Sequence, residues 1–215
     1  MLLAGSVDLD DALRQLSERR PIFHSEADFQ FALAWQVQSM DPRIEVSLES
    51  RPEPGVHLDL AFERRDLGRS SALELKYLTR ALETEVYGRR FDLKNHSALD
   101  NRRYDVVKDV YRIERFIAGR PGADGAAVVI ANDPAYWTES ASGTKANDLA
   151  FRLAEGAVLQ GPRAWQRPRA EHDERRATIT LRGRYELRWE PFSAITGASR
   201  VVEFRRLVIE VPEID

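Results

Sequence analysis

The spacing of apolar residues predicts two helices at the start of the chain. The first lies between Asp8 and Arg20, where Leu residues recur at helical intervals and a Pro follows. The second begins after Ser25, a residue type that caps helix N termini, and continues toward Asp41. Glu26 therefore lies in the first turn of the second helix.

Beyond Pro42 the apolar residues recur every second position, which is the period of a β-strand. Three segments show this alternation, at residues 44–49, 56–62 and 71–79, and turn residues separate them. They predict three consecutive strands in a meander. Residues 80–101 are polar, show no clear period and predict a loop.

A helix followed by a buried strand is predicted in the middle of the chain. Residues 102–118 carry a stripe of Val and Ile at helical spacing, and Gly119 follows as a C-cap. The continuous apolar run within residues 125–131 is typical of a strand covered on both faces. Such a strand after a helix is expected to be parallel to its neighbour.

Alternation returns near the C terminus. It predicts a strand over residues 178–189, with Gly183 as a bulge, and a last strand over about 201–211. Because the chain has neither an internal repeat nor a Pro/Ser-rich linker, we expect a single domain over 1–215. Its fold class is α/β, with an antiparallel β extension over 132–215.

Composition narrows the classes of function. The 215 residues include no Cys, which excludes thiol catalysis, Cys-ligated zinc and iron–sulfur clusters. The net charge is −3, from 32 Lys and Arg against 35 Asp and Glu, so any nucleic-acid site must be a local basic patch. No apolar run approaches the roughly 18 residues of a membrane span. We therefore expect a cytoplasmic protein without a membrane partner.

Candidate chemistry lies in the second and third predicted strands. Alternation places Asp59, Glu74 and Lys76 on one face, opposite the apolar positions of these strands, Leu58, Leu60, Leu73 and Leu75. Pairing Asp59 directly with Glu74 requires a turn centred between Asp66 and Leu67, where the sequence has one. Two carboxylates that close repel each other unless a cation lies between them. Oxygen ligands alone favour Mg²⁺ or Mn²⁺ as that cation.

Lys76 supplies the third part of this predicted site. Its ammonium, two residues from Glu74 on the same face, would orient an attacking water and stabilise charge on a phosphate. Metal-assisted hydrolysis of a phosphodiester is the reaction that this combination indicates.

These residues and the order of elements resemble the PD-(D/E)XK phosphodiesterase superfamily, whose restriction-endonuclease-like fold has an αβββαβ core. The resemblance covers about residues 22–131, and Leu58 stands where the superfamily's name has Pro. It implies that nucleic acid is the partner, with DNA the favoured substrate, and is compatible with a homodimer or a component of a larger defence or repair system. The catalytic residues that it implies are Glu26, Asp59, Glu74 and Lys76, with Asp59, Glu74 and the carbonyl of Leu75 as metal ligands.

Basic residues outside these strands are candidate contacts to a nucleic-acid backbone. Lys108 and Arg112 lie one turn apart on the helix at 102–118, and Arg182 and Arg184 share one face of a strand. A solvated charged face is the alternative interpretation of both pairs.

Three functions remain open from the sequence. The first is a Mg²⁺-dependent nuclease. The second is a non-catalytic nucleic-acid-binding or assembly module on the same fold, which would bind its substrate without divalent metal. The third is a metal-free α/β protein in which the polar face of the two strands is only solvated.

Overall fold

The computed structural model describes residues 1–53, 56–139, 146–196 and 201–213. Three α-helices and twelve strands are present in this part of the chain. In chain order they are β1 (Leu2–Leu3), β2 (Val7–Asp8), α1 (Leu9–Arg19), α2 (Glu26–Met40), β3 (Glu45–Glu53), β4 (Val56–Arg64), β5 (Arg69–Leu78), β6 (Leu82–Val86), β7 (Arg89–Leu93), α3 (Leu99–Ile117), β8 (Ala123–Ala131), β9 (Val158–Arg163), β10 (Ile179–Glu186), β11 (Trp189–Thr196) and β12 (Val201–Val211). No helix among them is long and apolar enough to cross a membrane.

A six-stranded mixed sheet, in the order β11-β12-β8-β5-β4-β3, is the centre of the fold. Strands β3, β4 and β5 form the predicted antiparallel meander. Strand β8 pairs parallel with β5 after the crossover through α3, as the apolar run predicted. Strand β12 adds to β8 in antiparallel pairing, and β11 to β12. The mixed α/β class is confirmed.

The two faces of the central sheet bury separate apolar cores. On one face Leu73 and Leu75 pack with Phe29 of α2. On the other face Val129 packs with Val110 of α3 and with apolar residues of the small β9–β10 sheet. The middle of β5 is consequently covered on both faces, so a polar side chain there is buried unless it lies at the open edge.

The helix predictions are close to the observed elements. The caps follow the expected chemistry, since Ser25 accepts a hydrogen bond from a backbone N–H in the first turn of α2. Glu26 is the first residue of α2, as predicted.

Two segment predictions are wrong. Within residues 80–101, predicted as a loop, β6 and β7 form a hairpin whose inward side chains include Leu82, Phe91 and Leu93. Many charged residues separate these apolar positions in the sequence, so their alternation was not recognised. Residues 178–189 are also not one strand, because β10 ends at Glu186 and Trp189 begins β11. The bulge at Gly183 is confirmed, since the register of β10 against β9 shifts between Leu181 and Arg184.

Candidate functional site

The site begins where β4 and β5 separate. Their pairing runs from Arg64 opposite Arg69 to Leu60 opposite Leu73, which confirms the predicted turn centre. Asp59 and Glu74 would be the next pair in this register. The side chain of Asp59 instead takes the place of the main chain, because its Oδ2 accepts a hydrogen bond of 2.6 Å from the backbone N–H of Leu75.

Tyr77 is the next residue of β5 whose backbone N–H points to the same side as that of Leu75, and a side chain of α2 accepts its hydrogen bond. Oε2 of Glu26 accepts a hydrogen bond of 3.0 Å from the backbone N–H of Tyr77. Two carboxylates therefore stand where a neighbouring strand would continue. Because the N–H and C=O of a strand residue point to the same side, the carbonyl of Leu75 faces the gap between these two carboxylates.

Lys76 places its ammonium against this gap. Nζ lies 2.9 Å from the carbonyl oxygen of Leu75 and 4.0 Å from Oε1 of Glu26. A further carboxylate, that of Asp109 on α3, lies 2.9 Å from Nζ. Burial by itself lowers the pKa of Lys76, but the surrounding carboxylates outweigh burial and raise that pKa above its usual value. The ammonium is therefore charged.

Glu74 extends from β5 beneath α3 and is only 2% exposed. Its Oε2 lies 3.4 Å from Nη1 of Arg112, and its Oε1 has no hydrogen-bond partner. Burial first, and then the charges of Asp109 and Asp59, raise the pKa of Glu74 to about 9. The prediction of a merely solvated polar face is thus wrong for Glu74, because α3 covers it.

One predicted apolar position departs from the expected face. Leu58 packs in the α3 core, whereas Leu60, Leu73 and Leu75 pack in the α2 core. The pairing of β4 with β5 ends at Leu60, so Leu58 lies beyond the ladder that fixes the faces of the other three residues.

Asp109 is the site residue that sequence reasoning missed. Its side chain is 3% exposed, and its Oδ1 accepts a hydrogen bond of 3.0 Å from Nη1 of Arg112. Burial raises the pKa of Asp109 to about 6, although Lys76 and Arg112 oppose this shift. The signal was present in the sequence. Asp109 stands next to Val110 in the apolar stripe of α3, where a carboxylate needs a buried partner.

The charges of this cluster do not balance. Four carboxylates, two of them deeply buried, face the two cationic groups of Lys76 and Arg112, which leaves an excess of two negative charges when all are ionised. The carboxylates are those of Glu26, Asp59, Glu74 and Asp109.

The donor atoms at the gap suit a hard divalent cation. Asp59, the carbonyl of Leu75 and the partnerless Oε1 of Glu74 offer only oxygen, which Mg²⁺ and Mn²⁺ prefer. No group of three or more His, Asp or Glu among the described residues is placed to hold one ion. An ion here would be held by two carboxylates and a backbone carbonyl, and water and substrate oxygens would complete its coordination.

The four predicted nucleic-acid contacts divide between two places. Arg112 belongs to the buried charged cluster, with its guanidinium directed at Glu74 and Asp109. Lys108 is half-buried on the same helix, and Arg182 and Arg184 are exposed on β10. Contact between these four residues and a nucleic acid stays a prediction.

No protein-family model matches the chain, and neither a curated protein nor a solved structure matches it.

Proposed function

We propose that the protein is a Mg²⁺- or Mn²⁺-dependent nuclease that hydrolyses phosphodiester bonds, with DNA the favoured substrate. One observation carries the proposal. Where β4 leaves β5, the carboxylates of Asp59 and Glu26, the carbonyl of Leu75 and the ammonium of Lys76 meet at one gap, beside the buried carboxyl of Glu74.

The order of elements supports a restriction-endonuclease-like core for this proposal. Helix α2 is followed by the antiparallel β3, β4 and β5, then by α3 and by β8 parallel to β5. This is the αβββαβ series that the sequence resembles, with the hairpin β6–β7 inserted before α3.

Each residue of the gap has a separate task in the proposed reaction. Asp59, Glu74 and the carbonyl of Leu75 would hold the cation. Mg²⁺ or Mn²⁺, when bound, supplies Lewis acidity toward the phosphate oxygens. The ammonium of Lys76 orients the attacking water and offsets the charge that grows on the phosphate. Glu26 keeps the edge of β5 in place through the N–H of Tyr77 and lies near that ammonium.

The proposed reaction consumes one water molecule for each bond cut. The water oxygen forms a bond to phosphorus, and the bond from phosphorus to one ester oxygen breaks. The departing oxygen takes up a proton and becomes a hydroxyl group, and the phosphate stays on the other fragment.

Cleavage assays test this function directly. Plasmid, linear duplex and single-stranded DNA would be incubated with the wild type in Mg²⁺, in Mn²⁺ and in a chelator. We expect cleavage only with divalent cation, and a loss of about 100-fold or more in Lys76→Met. Lys94→Met is the matched control, because Lys94 is an exposed lysine after β7. Cleavage in the chelator, or full activity of Lys76→Met, would contradict the proposal.

A second candidate is the non-catalytic binding or assembly module. It is favoured by the ion pair of Lys76 with Asp109, which balances the charge of the ammonium without a bound substrate or metal ion. It predicts that mobility-shift binding of nucleic acid persists in chelator and in Glu74→Ala. The nuclease proposal predicts cation-dependent cleavage that Glu74→Ala abolishes.

A further inference from the structure

Asp109 is a buried carboxylate for which the proposed reaction has no direct use. It lies on α3, and its side chain is 3% exposed. A substrate phosphate therefore has no access to it. Its two oxygens are nevertheless divided between two cations, Oδ1 toward Arg112 and Oδ2 toward Lys76.

Two oxygen atoms, one from β5 and one from α3, lie close to the ammonium of Lys76. The carbonyl of Leu75 approaches it from its own strand at 2.9 Å, and Asp109 approaches it from the helix, also at 2.9 Å. Glu26 is more distant, at 4.0 Å. A lysine ammonium is a point charge on a flexible four-carbon stem, so one carbonyl contact does not fix its position. Asp109 is the charged group closest to it.

Arg112 in turn fixes Asp109. The two residues lie one turn apart on α3, and Nη1 of Arg112 contacts both Oδ1 of Asp109, at 3.0 Å, and Oε2 of Glu74, at 3.4 Å. Because Arg112 binds Oδ1, the other oxygen of Asp109 is turned toward Lys76. Asp109 and Arg112, one turn apart on α3, thus link Glu74 and Lys76, the two proposed active-site residues of β5.

We propose that Asp109 is a positioning residue that holds the ammonium of Lys76 at the gap for catalysis, an inference that rests on the proposed nuclease function. The Asp109 carboxylate takes no part in bond making or breaking. It acts through the position of Lys76, and Arg112 keeps it oriented.

The kinetic test is Asp109→Asn, which preserves the size of the side chain and removes its charge. We expect kcat to fall by about 10- to 100-fold, since a misplaced catalytic group has an effect of this size. KM should stay within about 2-fold of the wild-type value, because Asp109 does not reach the substrate. Asp105→Asn is the matched control, since Asp105 lies one turn earlier on α3 and pairs with Arg175 at 2.7 Å. It should retain wild-type kcat.

A spectroscopic measurement reports on the position of Lys76 itself. The chain has only four lysines, so ¹⁵N-lysine labelling gives few ammonium signals, and Lys76→Met identifies the one that belongs to Lys76. A buried, ion-paired ammonium exchanges its protons slowly with water and gives an observable signal. We expect that signal in the wild type and in Asp105→Asn, and its loss or displacement in Asp109→Asn.

The outcomes separate this inference from the proposed function. If the wild type cleaves DNA but Asp109→Asn keeps both its kcat and its Lys76 signal, the inference fails and the function stands. If the wild type cleaves no substrate, the function and any catalytic role of Asp109 fail together, while the Lys76 signal still shows whether Asp109 holds the ammonium.

If Asp109→Asn does not fold, Asp109→Glu decides, because it retains the charge but moves the carboxylate. It should keep the fold and lower kcat, and a wild-type kcat would overturn the inference.

Discussion

The carboxylate of Asp59 accepts a hydrogen bond of 2.6 Å from the backbone N–H of Leu75. Asp59 lies one residue beyond Leu60, the last residue of β4 that pairs with β5. This contact completes the edge of β5, and the proposed function gives the same carboxylate a second task, to supply an oxygen ligand to a divalent cation. The two roles can be separated, because an amide oxygen can still accept the hydrogen bond from Leu75 but lacks the negative charge that favours a divalent cation.

Asp59→Asn should preserve the fold and remove the negative charge that the proposed cation site requires. We expect its free energy of unfolding in chelator to lie within about 0.5 kcal/mol of the wild-type value, because the amide oxygen still accepts from Leu75. Asp59→Ala leaves that N–H without its partner and should cost about 1 kcal/mol or more. Urea denaturation measures both. Equal stability of the two variants would show that the contact contributes nothing to the sheet.

Glu74 should make the metal-free protein less stable as the pH rises. Its pKa is about 9 in the fold against a usual 4.5, so between these values the folded chain binds more protons than the unfolded chain. Stability therefore falls as the pH increases through that window. Glu74→Gln cannot ionise and should be the more stable protein at pH 8, by about 1–3 kcal/mol, with little difference at pH 4. Urea midpoints in chelator across pH 4 to 9 give the comparison, and parallel curves would contradict the buried, protonated Glu74.

Divalent cations should raise the melting temperature. At a Mn²⁺ concentration of about 100 times the dissociation constant, binding to the folded state adds about 2.7 kcal/mol, which for a chain of this size corresponds to about 5–10 °C. The double variant Asp59→Asn with Glu74→Gln should show no such shift. Glu83→Gln, an exposed carboxylate on β6, is the control and should behave as the wild type. A calorimetric Mn²⁺ titration provides the independent measurement.

Glu114 should be a main contributor to the attachment of β10 to α3. Its buried carboxylate accepts hydrogen bonds from the backbone N–H groups of Arg182 and Gly183 and from the hydroxyl of Tyr185, each at 2.8 Å. Glu114→Ala leaves these donors without their acceptor and should cost about 2–4 kcal/mol. Tyr185→Phe removes only one of them and should cost about 1 kcal/mol. Equal losses in the two variants would show that the hydroxyl carries the contact.

Local patterns in the sequence were sufficient for most of the central sheet. The turn centre between Asp66 and Leu67, the cap at Ser25 and the apolar run of β8 each depend on neighbouring residues alone, and each is found as predicted. The hairpin β6–β7 was missed because its inward apolar residues are separated by charges and bury themselves only against a distant core.

Alternation predicted the candidate site only along one strand pair, and Glu26 was named only through the family resemblance. Alternation identified Asp59, Glu74 and Lys76, because each lies between apolar positions of its own predicted strand. It did not reveal that α3 covers Glu74, or that Asp109 pairs with Lys76, since these contacts depend on where the helix packs over the sheet. Long-range packing of this kind leaves only a faint trace in sequence, here an acid beside the apolar stripe of α3.

The carboxylates that complete β5 also affect how this protein behaves at high concentration. An open strand edge with free N–H groups is a template onto which an extended segment of another molecule can add, and fixed negative charge at that edge opposes such addition. Asp59 and Glu26 accept hydrogen bonds from the backbone N–H groups of Leu75 and Tyr77, which an added strand would otherwise use. We therefore expect the same two acids to oppose such addition, so that loss of both would lower the solubility of the protein as well as its proposed activity.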